Sequence, residues 1–361
     1  MTPFLTIERT PATVFDVALL DLDGVVYRGS NAVPHASQAI AAARAAGLGV
    51  MYVTNNANRP PEAVADHLVE LGIPTTPSEV TTAAQAAASL VAQDYPAGTR
   101  VLVVGGDGLR QAVTAEGLTV VPSADDGPAV VVQGFAPSVG WADLTEALLA
   151  ISAGAEHIAS NLDATLPVER GMAIGNGSLV AAVVNATGRV PRSSGKPQPA
   201  IFHQAARRSG ATTPLVVGDR LDTDLQGARA AGFPGLHVLT GVDGAAELLA
   251  CIPAQRPDLL ALDLRGLLVP HPAVTQDGDW WTCRGAAARI DNHDGAVAVT
   301  LASEQGIRSL ADGDELDLDE LRAACAAAWS ASDEAGVGSV LGATRPQLRV
   351  RQRPEDVGAI A

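Results

Sequence analysis

The chain has 361 residues, a net charge of −16 and 47% hydrophobic residues. This length predicts two or three domains, each large enough for its own hydrophobic core. An acidic surface repels phosphate backbones and anionic lipids, so the charge argues against a nucleic-acid partner and against a membrane surface. No apolar run reaches the roughly 18 residues of a membrane-spanning helix. An anionic small substrate would therefore have to meet local positive charge or a metal ion.

The cysteines and the N-terminus indicate a cytoplasmic protein. Cys251, Cys283 and Cys325 are odd in number and far apart, which fits neither a disulfide framework nor a zinc site. The opening "MTPFLTIERTPATVFDVALL" has no basic segment followed by a long apolar stretch. We therefore expect reduced thiols and a soluble chain in the cytoplasm.

Short apolar strands alternate with alanine-rich helices over roughly the first 250 residues. In chain order, "VALL" predicts a strand, "HASQAIAAARAAG" a helix that ends at a glycine, "LGVMYV" a strand, and "RPPEAVADHLVELG" a helix with proline at its start. The alternation continues through "TRVLVVGG", "AVVVQGF", "WADLTEALLAISAG", "TPLVVGDR" and "LHVLTG". This order predicts an α/β fold, with a parallel sheet that helices cover on both faces.

The pattern changes from about Pro257 onward. Strand-like runs mixed with turns are followed by "DELDLDELRAACAAAWSASDEAG", a helix with acidic residues in its first turns. These features predict an extra, small α+β domain at the C-terminus. The last segment, "RPQLRVRQRPEDVGAIA", is expected to be a solvated or loosely packed tail; its arginines are Arg345, Arg349, Arg351 and Arg353.

Three of the predicted strands end in polar loops. Asp21 and Asp23 follow "VALL", residues 54–56 follow "VMYV", and residues 219–224 follow "PLVVG". In open parallel sheets, ligands bind outside the carboxyl ends of the strands. We therefore expect the three loops to converge at one edge of the sheet.

The aspartates of these loops predict a metal site. Asp21 and Asp23 are two residues apart, so both carboxylates can face one pocket if the strand geometry continues that far. Asp219, Asp222 and Asp224 supply further oxygens from another strand end. Buried carboxylates repel one another, and a divalent cation removes the repulsion. Ligands of this type suit Mg²⁺.

Lys196 is the only lysine among the 24 basic residues, and it lies in the loop "SSGKPQPA". One lysine that survives by chance in an arginine-rich composition is the simpler interpretation. A chemical reason is that lysine carries a compact charge where the wide guanidinium fork does not fit. Together with a metal, Lys196 and the neutral donors Thr54, Asn55 and Asn56 could bind the oxygens of a phosphate group.

Four segments, taken in order, resemble the motifs of the haloacid dehalogenase (HAD) superfamily of phosphohydrolases. They are "DLDGVVYRG", "TNN", "GKP" and "GDRLDTD", within residues 14–250. The long insert between "TNN" and "GKP" is similar to the large-cap subgroup, which includes 4-nitrophenyl phosphatases, phosphoglycolate phosphatases and a nucleotide phosphatase.

This resemblance implies a division into three parts. Residues 1–82 and 193–256 would form a Rossmann-like HAD core with a parallel sheet. Residues 83–192 would form an inserted α/β cap domain, and residues 257–361 resemble a degenerate acetyltransferase-like (GNAT) domain. Copies of the chain could associate through the cap or the C-terminal domain, which the sequence leaves open.

The resemblance also assigns roles to the site residues. Asp21 would be the nucleophile that forms an aspartyl phosphate, and Asp23 would be the general acid and base. Asp21, the backbone carbonyl of Asp23 and Asp219 would hold Mg²⁺, with Asp224 outside them. The groups that bind the phosphoryl oxygens would be Thr54, Asn55, Asn56 and Lys196.

The implied function is Mg²⁺-dependent hydrolysis of a small phosphate monoester. The layout, including the C-terminal domain, is most similar to actinobacterial glycerol 3-phosphate phosphatases, with phosphoglycolate and sugar phosphates as alternatives. A dehalogenase needs neither the proton donor Asp23 nor a metal at Asp219, while a mutase stays open. An alternative of another class is a phosphate-binding regulatory protein on the same scaffold.

Two segments of the insert allow more than one interpretation. In "ASNLDATLPVERGMAIGNG", Asn161, Asp163 and Arg170 could contact the leaving group, although turn and helix-cap chemistry also explains such residues. "VLVVGGDGLRQA" resembles a dinucleotide-binding loop, but Gln111 stands where the third glycine belongs. We therefore expect only a strand-to-helix turn there.

Overall fold

The computed structural model of the protein describes residues 3–168, 170–293, 296–303, 306–341 and 346–357. The chain forms two compact units. The contiguous unit is Met51–Gly210, and the discontinuous unit combines the residues up to Val50 with those from Ala211 onward. None of the described helices is both long and apolar enough to cross a bilayer.

The bounds of the elements follow the alternation that the sequence predicts. The helices are α1 (Pro11–Val14), α2 (Ala36–Ala45), α3 (Pro61–Glu70), α4 (Ala83–Asp94), α5 (Asp107–Ala115), α6 (Trp141–Ser152), α7 (Asn176–Thr187), α8 (Ala200–Ser209), α9 (Gln226–Ala231), α10 (Ala245–Ala250) and α11 (Leu318–Ala335). The strands are β1 (Val17–Leu20), β2 (Tyr27–Arg28), β3 (Asn31–Ala32), β4 (Gly49–Thr54), β5 (Val80–Thr82), β6 (Arg100–Val104), β7 (Thr119–Val121), β8 (Val130–Gln133), β9 (Glu156–Ala159), β10 (Thr165–Val168), β11 (Gly171–Ile174), β12 (Arg192–Ser193), β13 (Pro214–Gly218), β14 (Gly235–Val238), β15 (Leu259–Ala261), β16 (Thr275–Asp277), β17 (Trp280–Cys283), β18 (Ala286–His293), β19 (Ala296–Ser303), β20 (Gly306–Ser309), β21 (Glu315–Leu316) and β22 (Arg349–Val350).

Parallel strands in the order β15, β14, β13, β1 form the sheet of the discontinuous unit. Leu19 pairs with Val216 in this sheet, and Val217 pairs with Leu236. Every residue of β1 and β13 is buried. Such fully apolar strands are typical of a sheet that is covered on both faces, so the predicted α/β fold is confirmed.

The contiguous unit contains a second parallel sheet, with strand order β12, β9, β8, β6, β7. Val101 and Val103 pack with α4 and α5 on one face. Leu102 and Val104 pack with α6 and α7 on the other face. This division follows from the alternation of side chains along a strand. The unit also holds β5, which pairs in parallel with the end of β4.

The C-terminal region forms an antiparallel sheet of β16 to β20 against which α11 packs. Trp329 on α11 is buried, and its indole Nε1 donates to the backbone carbonyl of Leu248 at 2.9 Å. The expected extra α+β region is therefore confirmed. Its likeness to an acetyltransferase stays a prediction.

The segment after α11 is not the solvated tail that the sequence suggests. Residues 349–350 form β22, which pairs in parallel with β21. Arg351 Nη2 lies 3.1 Å from a carboxylate oxygen of Asp317, and the Arg353 guanidinium donates to the buried Asp319. The acidic start of α11 therefore anchors this segment by ion pairs. Arg345 lies outside the described residues.

Candidate active site

Three carboxylates meet within the discontinuous unit. Asp21, Asp219 and Asp224 each place one oxygen within 4.8 Å of the others. All three residues are buried, and Asp219 has no exposed surface. Asp21 is roughly two hundred residues from Asp219 and Asp224 in the sequence, so the fold itself assembles the cluster.

The parallel pairing of β1 and β13 explains why these side chains meet. Leu20 pairs with Val217, and the backbone N–H of Asp21 donates to the carbonyl of Val217 at 2.9 Å. Asp219 directly follows β13 on the neighbouring strand. Asp224 lies in a π-helical turn, Leu221–Leu225, and its Oδ2 accepts the N–H of Arg220 at 3.1 Å. The carboxyl ends of two adjacent strands thus bring the carboxylates together, as the sequence predicts.

The loop after β14, which the sequence analysis does not include among the site residues, packs on Asp219. Oδ2 of Asp219 accepts the backbone N–H of Val242 at 2.7 Å. Thr240 Oγ1 donates to the carbonyl of Gly24 at 2.6 Å, and the Arg28 guanidinium donates to the carbonyl of Thr240. This loop, "TGVDG", follows β14, so its position after a strand end is the signal in the sequence that could have identified it.

Asp23 and Asp222 differ from the cluster in exposure. Both side chains are exposed, whereas Asp21 is buried. The strand ends at Leu20, and Gly24 then takes a left-handed backbone with φ of 88°, so side chains no longer alternate as in a strand. Asp222 pairs with Arg220, with 3.0 Å between Nη2 and Oδ2.

The cluster fits a hard divalent cation. Three buried carboxylates this close repel one another when ionised, and a cation between them removes that cost. Carboxylate oxygens are the ligands that Mg²⁺ and Ca²⁺ prefer. Oxygens within 4.8 Å of one another can reach one ion from different sides.

The phosphate-binding candidates lie together within the contiguous unit. The N–H of Lys196 donates to Oδ1 of Asn55 at 2.8 Å, and its Nζ donates to the carbonyl of Val53 at 3.2 Å. Lys196 is 4% exposed, which is rare for a lysine. A Cβ at Gly195 would overlap with the carbonyl of Ser160, so the close packing of this loop requires glycine.

The other two residues of the "TNN" segment organise its own loop. Thr54 Oγ1 accepts the N–H of Asn56 at 3.1 Å. Oδ1 of the exposed Asn56 accepts the N–H groups of Asn58 and Arg59 at 2.8 and 3.1 Å, just before α3. Their contact with a substrate stays a prediction, as does the convergence of this group with the carboxylate cluster.

Residues from the insert also contact Asn55. Nδ2 of Asn55 donates to Oδ2 of Asp163 at 3.0 Å, and Nδ2 of Asn161 donates to the carbonyl of Asn55 at 2.7 Å. Arg170 is exposed. The sequence suggests contact with the leaving group or turn chemistry for Asn161 and Asp163. It does not distinguish Asn176, whose Nδ2 donates to the carbonyl of Asn161 at 2.7 Å.

The glycines of "VGGDG" are explained by packing. The N–H of Gly108 donates to the carbonyl of Asn58 at 3.0 Å, and a Cβ at residue 108 would lie 2.8 Å from that oxygen. A Cβ at Gly106 would overlap with Oδ1 of Asn58. The segment is the strand-to-helix turn between β6 and α5, as predicted.

Comparison with known proteins identifies the family. A family profile described as haloacid dehalogenase-like hydrolase matches residues 18–119, and a related HAD-like profile matches residues 193–267. The D-glycerol 3-phosphate phosphatase of Mycobacterium tuberculosis is 44% identical over 326 residues, which are 90% of this chain and 88% of that protein. An acid sugar phosphatase of Staphylococcus aureus is 37% identical over 226 residues, covering 62% of this chain and 86% of its own.

A solved structure matches almost the whole chain. The crystal structure of the glycerol phosphate phosphatase of Mycobacterium tuberculosis in complex with magnesium aligns with a TM-score of 0.77 and 40% identity, covering 96% of each chain. The chain therefore belongs to the haloacid dehalogenase-like hydrolase family, as its four motifs predict. Within this family it is a phosphatase, a phosphoric monoester hydrolase.

Proposed function

We propose that this phosphatase hydrolyses glycerol 3-phosphate to glycerol and phosphate in a Mg²⁺-dependent reaction. The assignment of this substrate rests on the 44% identity, over 90% of the chain, to a D-glycerol 3-phosphate phosphatase. The metal is supported by the buried cluster of Asp21, Asp219 and Asp224, and by the magnesium in the mycobacterial structure.

In the first half of the reaction, a carboxylate oxygen of Asp21 attacks the phosphorus in line with the ester oxygen. The new bond joins Asp21 to phosphorus while the ester P–O bond breaks. Asp23 donates its proton to the departing alkoxide, which leaves as an alcohol. The exposed position of Asp23 suits this role, because it must exchange protons with water and substrate.

In the second half, water attacks the aspartyl phosphate. Asp23, now a carboxylate, takes a proton from this water as its oxygen bonds to phosphorus. The bond between phosphorus and the Asp21 oxygen breaks, which releases inorganic phosphate and regenerates Asp21. One residue thus serves as acid and then as base, so the cycle ends in its starting protonation state.

The remaining residues bind and orient the substrate. Lys196, Thr54, Asn55 and Asn56 would contact the phosphoryl oxygens and so stabilise the charge on the transferring group. Asp21, the carbonyl of Asp23 and Asp219 would hold Mg²⁺, which would neutralise the charge of substrate and carboxylates. Asp224 would position the metal through its water ligands, although its place within the cluster also allows direct contact.

A sugar phosphate is the second candidate substrate, because the staphylococcal acid sugar phosphatase is 37% identical over 62% of this chain. Phosphoglycolate is a further alternative. The alternative of another class, a phosphate-binding regulatory protein, would bind a phosphate ester without hydrolysing it.

We also propose that the chain divides into a core (1–82 and 193–256), a cap (83–192) and a C-terminal domain (257–361). Cytoplasmic location, association of copies through the cap or C-terminal domain, and the lack of a nucleic-acid partner also stay predictions.

The test is to compare kcat/KM for glycerol 3-phosphate, phosphoglycolate and a panel of sugar phosphates, with Mg²⁺ and with EDTA. We expect the highest value for glycerol 3-phosphate, loss of turnover in EDTA and recovery when Mg²⁺ is added back. A higher kcat/KM for another ester would reassign the substrate. Full activity in EDTA would refute the metal requirement.

A further inference from the structure

The side-chain amide of Asn55 holds Lys196 by its backbone. Oδ1 of Asn55 accepts the N–H of Lys196 at 2.8 Å, and Nδ2 donates to the Lys196 carbonyl at 3.2 Å. One amide therefore binds the backbone of the lysine on both sides. Because a lysine side chain starts from this backbone, the position of Asn55 determines where the ammonium group can reach.

Asp163 binds the same amide from the insert. Its Oδ2 and Oδ1 accept from Nδ2 of Asn55 at 3.0 and 3.3 Å. A carboxylate accepts only, so it fixes which end of the amide is the nitrogen and leaves Oδ1 for the Lys196 N–H. A hydrogen bond to an ionised acceptor is also stronger than one between neutral groups.

Two further asparagines hold the backbone of this region. Nδ2 of Asn161 donates to the carbonyl of Asn55 at 2.7 Å, and its Oδ1 accepts the N–H of Asp163 at 3.2 Å. Nδ2 of Asn176, at the start of α7, donates to the carbonyl of Asn161 at 2.7 Å. Asn161 and Asn176 are at most 5% exposed, so these bonds form without competition from bulk water.

We propose that Asp163, Asn161 and Asn176 are positioning residues for phosphate binding, because their hydrogen bonds fix Asn55 and, through it, Lys196. The residues come from the insert, yet they act on the phosphoryl group and not on the leaving group. The inference rests on the proposed role of Lys196 in binding the phosphoryl oxygens.

The test measures inhibition by inorganic phosphate, which has no leaving group, together with kcat and KM for 4-nitrophenyl phosphate. For Asp163→Ala and for Asn161→Ala we expect a roughly 10-fold or larger rise in the inhibition constant of phosphate, since a lost charged or buried hydrogen bond is worth about that much. Asp163→Asn keeps an acceptor for Asn55 and should restore most of the affinity. Thermal unfolding of each variant checks that it folds.

Asp143→Ala is the matched control in the same unit. The carboxylate of Asp143 also accepts a hydrogen bond, from the backbone N–H of Gly140 at 2.9 Å, but at the start of α6. We expect this variant to keep the wild-type inhibition constant. A loss in Asp143→Ala equal to that in Asp163→Ala would mean that the unit responds unspecifically, and it would overturn the inference.

A double-mutant cycle with Lys196→Ala decides whether the effect passes through the lysine. In the Lys196→Ala background, Asp163→Ala should change phosphate inhibition by less than about 2-fold. A full additive effect would overturn the inference. So would a change in KM for 4-nitrophenyl phosphate without any change in phosphate inhibition, because it would place Asp163 at the leaving group. If Lys196→Ala alone leaves phosphate inhibition unchanged, the proposed role of Lys196 fails as well, so the two failures are distinguishable.

Discussion

Gly241 packs directly against the carboxylate of Asp219. A Cβ at residue 241 would overlap with Cβ, Cγ and Oδ2 of Asp219, so glycine is the residue that leaves room for this carboxylate. The backbone φ of Gly241 is not left-handed, which means that space alone requires the glycine. The neighbouring Val242 N–H then binds Oδ2 of Asp219 at 2.7 Å.

We therefore expect Gly241→Ala to move Asp219 out of the carboxylate cluster. The Mg²⁺ concentration for half-maximal activity should rise about 10- to 100-fold, the usual cost of disturbing the support of a metal ligand. Gly244→Ala is the matched control, because its nearest neighbour, an oxygen of Glu247, would lie at an ordinary 3.5 Å. Equal Mg²⁺ dependence in the two variants would refute this steric argument.

Asp21→Asn should abolish turnover. An amide oxygen is a poor nucleophile, and we expect kcat to fall on the order of 10⁴-fold or more, as in other enzymes that lose a nucleophile. The measurement is release of 4-nitrophenol from 4-nitrophenyl phosphate. Asp222→Asn is the control, since Asp222 is exposed and paired with Arg220. A retained rate in Asp21→Asn would exclude the aspartyl phosphate.

Lys196→Arg should impair the enzyme although the charge is retained. Lys196 is buried, and its Nζ donates to the carbonyl of Val53 at 3.2 Å. A guanidinium is wider and cannot take the same place, so we expect kcat/KM to fall roughly 10- to 100-fold. The converse exchange at the exposed Arg207, Arg207→Lys, is the control and should change nothing. Wild-type kinetics in Lys196→Arg would mean that the only lysine is a coincidence.

The buried His237 should make the protein less stable in acid. Burial lowers the pKa of His237 to about 4, and its Nε2 bonds to the carbonyl of Asp243 at 2.9 Å. An unfolded histidine has a pKa near 6.5, so between these values the unfolded state binds the extra proton. The uncharged His237 therefore contributes to the free energy of unfolding above about pH 6.5, and this contribution to stability is lost as the pH falls towards 4.

The expected loss from His237 is about 2 kcal/mol between pH 7 and pH 5. Urea unfolding at both pH values measures it. His237→Gln removes the titrating group, so the variant should lose less stability than the wild type over this range, even if it is less stable at pH 7. An identical pH dependence of the two proteins would contradict the prediction.

The sequence predicted that Asp21, Asp219 and Asp224 lie together, although it also grouped the exposed Asp23 and Asp222 with them. Strand ends can be read from apolar runs, and parallel pairing places neighbouring ends side by side. The loop that contains Gly241 also follows a strand end, but it has no charged residue next to its strand, so the sequence did not predict its part in the site. The contacts of Asp163 and Asn176 could not be predicted, because they depend on which segments of the insert approach Asn55. The ion pairs of Arg351 and Arg353 depend likewise on a long-range approach to α11.

The division of the chain has a consequence for its synthesis. All residues of the contiguous unit are available once residue 210 has left the ribosome, so we expect this unit to fold while translation continues. The carboxylate cluster forms only after that point, because Asp219, Asp224 and the loop at Val242 are synthesised after residue 210. We expect released chains that are truncated after residue 210 to contain one folded unit and to lack phosphatase activity.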